Sequence, residues 1–448
     1  MVERETWATR TGFILAAVGS AVGLGNIWRF PFQASEQGGA AFLVVYLLLI
    51  LAIGFPVMLV EFTVGRRTKR NPIGALKELG TGVWTKVGWI FVVAGFVIMS
   101  YYSAVSGWVL QYMVLGLQND YAVDAAGGQF LATASGLDSV LTHAIFMAAV
   151  VVIVAFGIQR GIEMSVKVMV PAIILLLVGL AVYAATLEGA TEAYQFYLSP
   201  DLSTIAENWT EILPAAAAQA FFTLSLGMGV MITYASYLGE DRNLAEDGAI
   251  ILGFDTAIAF IVGLIAFPVL QAASIPPGDP GPGAIFISLS AAFGELPFGG
   301  IIGAVFFGTV AIAALSSAIS ITEVVVSYLI DEHGVDRVPA TVGLGVAMFA
   351  VGLPVAYGAS GDLSELIIFD GLANGILLVL GGLLLSIYVG WVGSDFALDE
   401  LGKGITNIGS WGLTWLWLVR IPVIVILLVV LALNVQGYYQ DLTALFAG

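Results

Sequence analysis

Two glycine-rich tracts are where this sequence could do chemistry. The first reads Gly19-Ser20-Ala21-Val22-Gly23-Leu24-Gly25-Asn26, the second Thr223-Leu224-Ser225-Leu226-Gly227-Met228-Gly229. Each lies in the middle of a long apolar run. Glycine costs about 1 kcal/mol per residue in a helix, so both runs are expected to unwind there and bare backbone carbonyls and amides. In hydrocarbon such groups need partners, and broken helices therefore line buried sites. Close packing through small residues competes for one tract alone, since Gly19 and Gly23 fit that spacing. Two interrupted runs point instead to a binding site between repeats. Half-helix amino ends suit a carboxylate, and carboxyl ends with bared carbonyls suit a cation or an ammonium group. The chemistry is that of holding a zwitterion together with cations.

Other polar residues interrupt apolar sequence. Asp255 is expected to coordinate an ion, because an acid buried in a membrane costs several kcal/mol and is rarely idle. Glu61, nearer one end of its run, reads as structural. The neighbouring Ser316 and Ser317 could bond carbonyls of their own helix or face the same site.

The elements that must position these residues follow from composition. Of 448 residues, 59% are hydrophobic, 54 are glycine and 10% are charged, with a mean hydropathy of +0.98. Soluble domains run at about 25% charged, so this chain belongs in a bilayer. The absence of cysteine removes thiolate sites and Cys nucleophiles, and two histidines, His143 and His333, are too few for a His-based metal site. A net charge of −17 argues against nucleic acid. No cleavable signal peptide is expected, because the first ten residues carry Glu3 and Glu5 and no small-residue cleavage site follows.

A bilayer-crossing helix needs about 20 apolar residues. Eleven stretches qualify: 11–33, 40–64, 84–117, 139–159, 166–187, 211–238, 247–273, 299–330, 338–357, 364–392 and 414–436, numbered spans 1 to 11 below. The tail, 437–448, is expected to lie outside, and loop 274–298 to form a re-entrant or lid-like segment. Of the 15 Lys and Arg, all but Arg29 fall on one side if the segment 1–10 is cytoplasmic, whereas the opposite loops carry only acids. The positive-inside rule then puts the amino terminus inside and the carboxyl terminus outside. The acidic balance further suits a halophilic prokaryote.

These motifs carry a resemblance. Trp7-Ala8-Thr9-Arg10 with Gly23-Leu24-Gly25-Asn26-Ile27-Trp28-Arg29-Phe30-Pro31 resembles the first helix of the neurotransmitter:sodium symporter family. Phe221 to Gly229 resembles its sixth, and Tyr101-Tyr102 and Ala313-Ala314-Leu315-Ser316-Ser317 match spans 3 and 8. The likeness is greatest to prokaryotic eleven-helix members that carry hydrophobic amino acids. It implies an all-α membrane protein of eleven transmembrane helices with the leucine-transporter-like fold: an inverted five-plus-five repeat, 11–187 and 211–392, with helices 1 and 6 broken, then helix 11 at 414–436.

The resemblance also implies roles. Two sodium ions would be the coupling species, the first held by Ala21, Asn26, Thr223 and Asp255 with the substrate carboxylate, the second by Gly19, Val22, Ala313, Ser316 and Ser317. An amino-acid substrate would sit among Ala21, Gly25, Ile98, Tyr102, Phe222, Thr223, Ser225, Met228, Ser317 and Ile321. An outer gate would pair Arg29 with Asp370, and an inner gate Arg4 with Asp331, where Trp7 and Tyr237 pack. Glu323 departs from the Gln common in relatives. Gly161 and Pro171 match a Gly-X9-Pro hinge at the start of span 5. Residues corresponding to a chloride site are Tyr46, Gln219, Thr223 and Asp255, with Ala259 nearby; a fixed charge on Asp255 would make chloride unnecessary. The expectation is a chloride-independent sodium symporter of large hydrophobic or aromatic L-amino acids in the cell membrane, and no enzyme. An intramembrane aspartyl protease would need Asp255 and Asp370 adjacent; a channel or an amino-acid sensor is the remaining alternative.

Overall fold

The computed structural model describes residues 5–277, 281–358, 361–405 and 408–447. Arg4, Pro280 and the last residue lie outside them. Every regular element among the described residues is helical. Among the described residues nine helices are long and apolar enough to cross a membrane unaided, and the bent pair Arg10–Ala21 and Gly25–Glu36 supplies a tenth. The expected span 6 is divided into Leu202–Thr223 and Val230–Ala235.

Burial orders the bundle. Span 8, Gly299–His333, is the most enclosed, packing against spans 3, 4, 5 and 9 and the first half of span 1. The apolar windows of spans 4, 5 and 9 are only 33% buried; their remaining surface is apolar, as lipid contact requires. Span 8 therefore forms the axis against which the broken helix 1 leans.

Two segments show more structure than the sequence indicated. The loop 274–298 contains a packed helix, Ala284–Glu295, whose Phe286 sits among Trp108, Tyr112, Phe130 and Phe307. Burying that aromatic ring anchors the segment. In the tail, the helix Ile424–Ala447 runs on past the expected end of span 11. Its lone Gly437 does not stop a helix whose hydrogen bonds are otherwise continuous.

Candidate functional site: two helix breaks around a cavity

Span 1 leaves the helix at Val22, where ψ is 89°, resumes as a π-helical turn at Gly25–Arg29, and bends by 46°. In span 6 the chain turns from Leu224 to Gly229 between its two helical halves. Ser225, Gly227 and Gly229 take φ of 53°, 79° and 73°. That left-handed region is strained for most side chains, and a Cβ at Gly227 would also collide with the Leu378 carbonyl of span 10. Gly227 is thus demanded twice over.

The freed backbone groups find partners across the site. Gln219 Nε2 donates to Gly25 O at 3.3 Å, and Glu61 Oε1 accepts from Gly227 N at 2.7 Å. Glu61 is fully buried, so it serves the broken turn of span 6.

Asn26, Thr223 and Asp255, all buried, come together as expected. Asn26 Nδ2 donates to Thr223 Oγ1 at 2.9 Å and to Asp255 Oδ1 at 2.8 Å, and Thr223 Oγ1 donates to Asp255 Oδ2 at 3.0 Å. Asn26 Oδ1 accepts from Gly23 N at 3.3 Å. A cation here would use the same oxygens once the Asn26 amide turned. Among the described residues no three His, Cys, Asp or Glu side chains are grouped so as to hold a metal ion. The cluster offers oxygen donors and one carboxylate, a set suited to a hard cation.

The second group also converges. Ser316 Oγ lies 2.7 Å from Gly19 O and 2.8 Å from Ala313 O. Ser317 Oγ lies 2.9 Å from Ser20 O, 3.3 Å from Gly19 O and 3.4 Å from Val22 O. Each hydroxyl proton can serve one carbonyl at a time, so several oxygens face one another with no hydrogen between them. That is the electrostatic setting a cation relieves.

Between the breaks lies a cavity of about 40 Å³ bordered by all ten residues expected to contact substrate, together with Ser20, Gly23, Leu24, Asn26 and Asn374. Tyr102 Oη accepts from Leu24 N at 3.4 Å. Gly23 is closely covered: a Cβ there would stand 2.6 Å from Ser317 Oγ and 3.1 Å from Tyr102 Oη. Ile98, Phe222, Met228 and Ile321 supply the apolar walls.

On one side is a second cavity of about 250 Å³, a vestibule bordered by Arg29, Asp370, Asn374 and, from the helix Ile424–Ala447, Asn434, Tyr438 and Asp441. The expected outer pair faces it but is not joined. Arg29 stacks over the Phe222 ring at 5.2 Å, whereas Asp370 Oδ1 accepts from Tyr101 Oη at 2.8 Å and from Asn374 Nδ2 at 2.6 Å.

The opposite side is fastened. Trp7 Nε1 donates to Tyr234 O at 2.9 Å, and its ring meets Phe13, Tyr234 and Tyr237 edge-on. Asp331 accepts from Asn71 N at 3.0 Å; Arg4, its expected partner, is outside the described residues. Sequence reasoning missed most of the rest. Arg337 pairs with Glu323 at 2.7 Å and with Glu5 at 3.3 Å, while Tyr237 Oη donates to Glu323 Oε1 at 2.7 Å. Arg10 pairs with Asp247 at 2.7 Å. Glu163 accepts from Ala8 N at 2.8 Å and Thr9 Oγ1 at 2.7 Å, and pairs with Lys167 at 2.6 Å.

Gly161 lies in the π-helical turn Ile158–Glu163, and Pro171 lies inside the helix Met164–Ala184 that follows. The intended hinge is wound throughout. Glu163, two residues past Gly161, ties it to the start of span 1.

A membrane bundle with two helices broken opposite each other, oxygen-lined at the breaks, with a vestibule on one side and fastened on the other, is the architecture of a secondary transporter. The chain belongs to the sodium:neurotransmitter symporter family, whose model matches residues 4–135 and 129–443; its members are transporters, not enzymes. It is 33% identical over 444 residues to the uncharacterized sodium-dependent transporter YhdH of Bacillus subtilis, covering 96% of this chain and 97% of that one. It is 34% identical to the uncharacterized sodium-dependent transporter MJ1319 of Methanocaldococcus jannaschii, covering 97% and 91%. Among solved structures it is similar to MhsT in complex with L-phenylalanine, with a TM-score of 0.84 and 38% identity, covering 96% of this chain and all of that one.

Proposed function

We propose that this chain is a symporter that couples two sodium ions to the uptake of a large hydrophobic or aromatic L-amino acid by alternating access, without chloride. The observation that carries this reading is the polar triad Asn26, Thr223 and Asp255 beside a cavity walled by Ile98, Phe222, Met228 and Ile321. A zwitterion would direct its carboxylate to the polar end and its side chain to the apolar walls. Phenylalanine bound to the similar MhsT supports an aromatic substrate. Gly23 leaves the site without a carboxylate of its own near the ligand amine, so the substrate must bring one. Unbranched Met228 can yield room for a large ring.

With eleven spans, counting the divided span 6 as one, the gathering of Lys and Arg on one side supports an amino terminus in the cytoplasm and a carboxyl terminus outside. Fastening of the amino-terminal side and separation of Arg29 from Asp370 support an outward-facing arrangement. Sodium-dependent uptake of L-phenylalanine, L-tryptophan, L-tyrosine and L-leucine into proteoliposomes tests the reading. A channel would leak amino acid without a sodium gradient, and a sensor would bind it without moving it.

A further inference from the structure

The two outer-gate charges are each occupied by a neutral partner. Asp370 Oδ1 accepts from Tyr101 Oη and from Asn374 Nδ2, and Asn374 Nδ2 also approaches Tyr101 Oη at 2.8 Å. Arg29 rests on the face of Phe222. Asn374 and Phe222 are also the two residues that border both the vestibule and the inner cavity. A ligand in the inner cavity can therefore reach both the holder of Asp370 and the holder of Arg29.

We propose that Asn374 is a positioning residue of the outer gate: with Tyr101 it keeps Asp370 from Arg29, and contact with a ligand releases it. This rests on the carrier reading above. A carboxylate only accepts, so it fixes which edge of the Asn374 amide faces it. The other edge, Oδ1, is inaccessible and has no hydrogen-bond partner. A buried acceptor without a donor is costly, so the arrangement is easily given up once a ligand shifts the amide. Asp370 and Arg29, left facing each other across the vestibule, would then close it.

The chain has no cysteine, so a single introduced thiol reports on access. Gly437 borders the vestibule, and a Cβ there meets nothing within 4 Å. In a Gly437→Cys chain in sodium without amino acid, labelling by a charged, impermeant thiol reagent measures opening. Adding Asn374→Leu should slow labelling about fivefold, the effect of one net hydrogen bond, and Tyr101→Phe should slow it in the same direction. With Arg29→Gln present, Asn374→Leu should have no effect, because nothing remains for Asp370 to close upon. Slowing that persisted with Arg29→Gln would be a packing effect and would overturn the proposal. Unchanged labelling in Asn374→Leu, with protection by L-phenylalanine intact, would overturn the gate role alone. If neither sodium nor any of the four amino acids altered labelling of the Gly437→Cys chain, the carrier reading would fall and this inference with it.

Discussion

The hydroxyl of Ser225 donates to the carbonyl oxygen of Ser20 across 2.9 Å, joining the unwound turn of span 6 to the break in span 1. Ser20 is flanked by Gly19 and Ala21, residues of the second and first expected cation groups. A displacement of either helix half is thereby felt at both groups and at the cavity wall. Coupling of ion and substrate needs a shared element of this kind, since a ligand shifts an equilibrium only through its different affinity for the two states.

Gly23 is one of the tight points of that element. Its absent side chain leaves room for Ser317 Oγ and Tyr102 Oη, which a Cβ would meet at 2.6 and 3.1 Å. Gly23→Ala should therefore abolish sodium-dependent uptake or reduce it at least about tenfold, because close-packed interiors do not absorb such a methyl. The protein should still be inserted and folded, which size-exclusion chromatography in detergent would verify. Near-normal uptake would show that the wall around Gly23 is looser than it looks.

Met228 lines the cavity and is 5% exposed. Met228→Phe replaces an adaptable chain by a rigid ring and narrows the pocket. Competition assays should show L-tryptophan losing about tenfold in potency relative to L-leucine, the size of a steric conflict of 1–3 kcal/mol. An unaltered ratio would place the large ring elsewhere.

How far the sequence reached divides along a physical line. Hydrophobic runs, and the glycines that break them, are local properties, so the spans and both interruptions could be read from Gly19–Asn26 and Thr223–Gly229. The ten cavity residues came from the family resemblance, and they do border one cavity. What was not legible is polar pairing between distant elements. Glu163 and Arg337 look like ordinary charges at span ends, and only packing brings them to Thr9 and Glu323. Asn374 sits in an apolar run with no local mark of its bond to Asp370. The one available signal was its position four residues after Asp370, which puts both on one helix face. The helical form of the tail was not legible because polarity ends a membrane crossing without ending a helix.

Pro171 removes a backbone donor from the helix that follows the turn holding Gly161, and Glu163 between them binds Ala8, Thr9 and Lys167. Inward opening by unwinding of this turn would have to break those bonds and free the start of span 1. Pro171→Ala should stabilise the wound helix and lower turnover about threefold to tenfold, as interior proline costs about 3 kcal/mol where fully felt. Glu163→Gln should weaken the tie and raise labelling of a thiol introduced on the inner face. Unchanged turnover in Pro171→Ala, measured by counterflow in proteoliposomes, would remove the hinge.

Asp255 supplies the one carboxylate that the protein itself brings to the first cation group and is fully buried with Asn26 and Thr223. Tyr46, Gln219 and Ala259, the other residues implied for an anion site, are buried as well, and none of them carries a charge. A fixed negative charge on Asp255 can therefore both bind sodium and stand in for an anion, with the cation keeping it ionised because opposite charge within about 4–6 Å favours the charged form. Wild-type uptake should be equal in chloride and in gluconate. Asp255→Asn should raise the sodium concentration for half-maximal uptake about tenfold or more, the scale of a lost charge-assisted interaction of 1.5–3 kcal/mol. Because the substitution also leaves room for an external anion, chloride should restore part of that loss and gluconate none. Collapse of wild-type uptake in gluconate would show that Asp255 does not replace chloride, and an Asp255→Asn chain with normal sodium dependence would remove it from the cation site altogether.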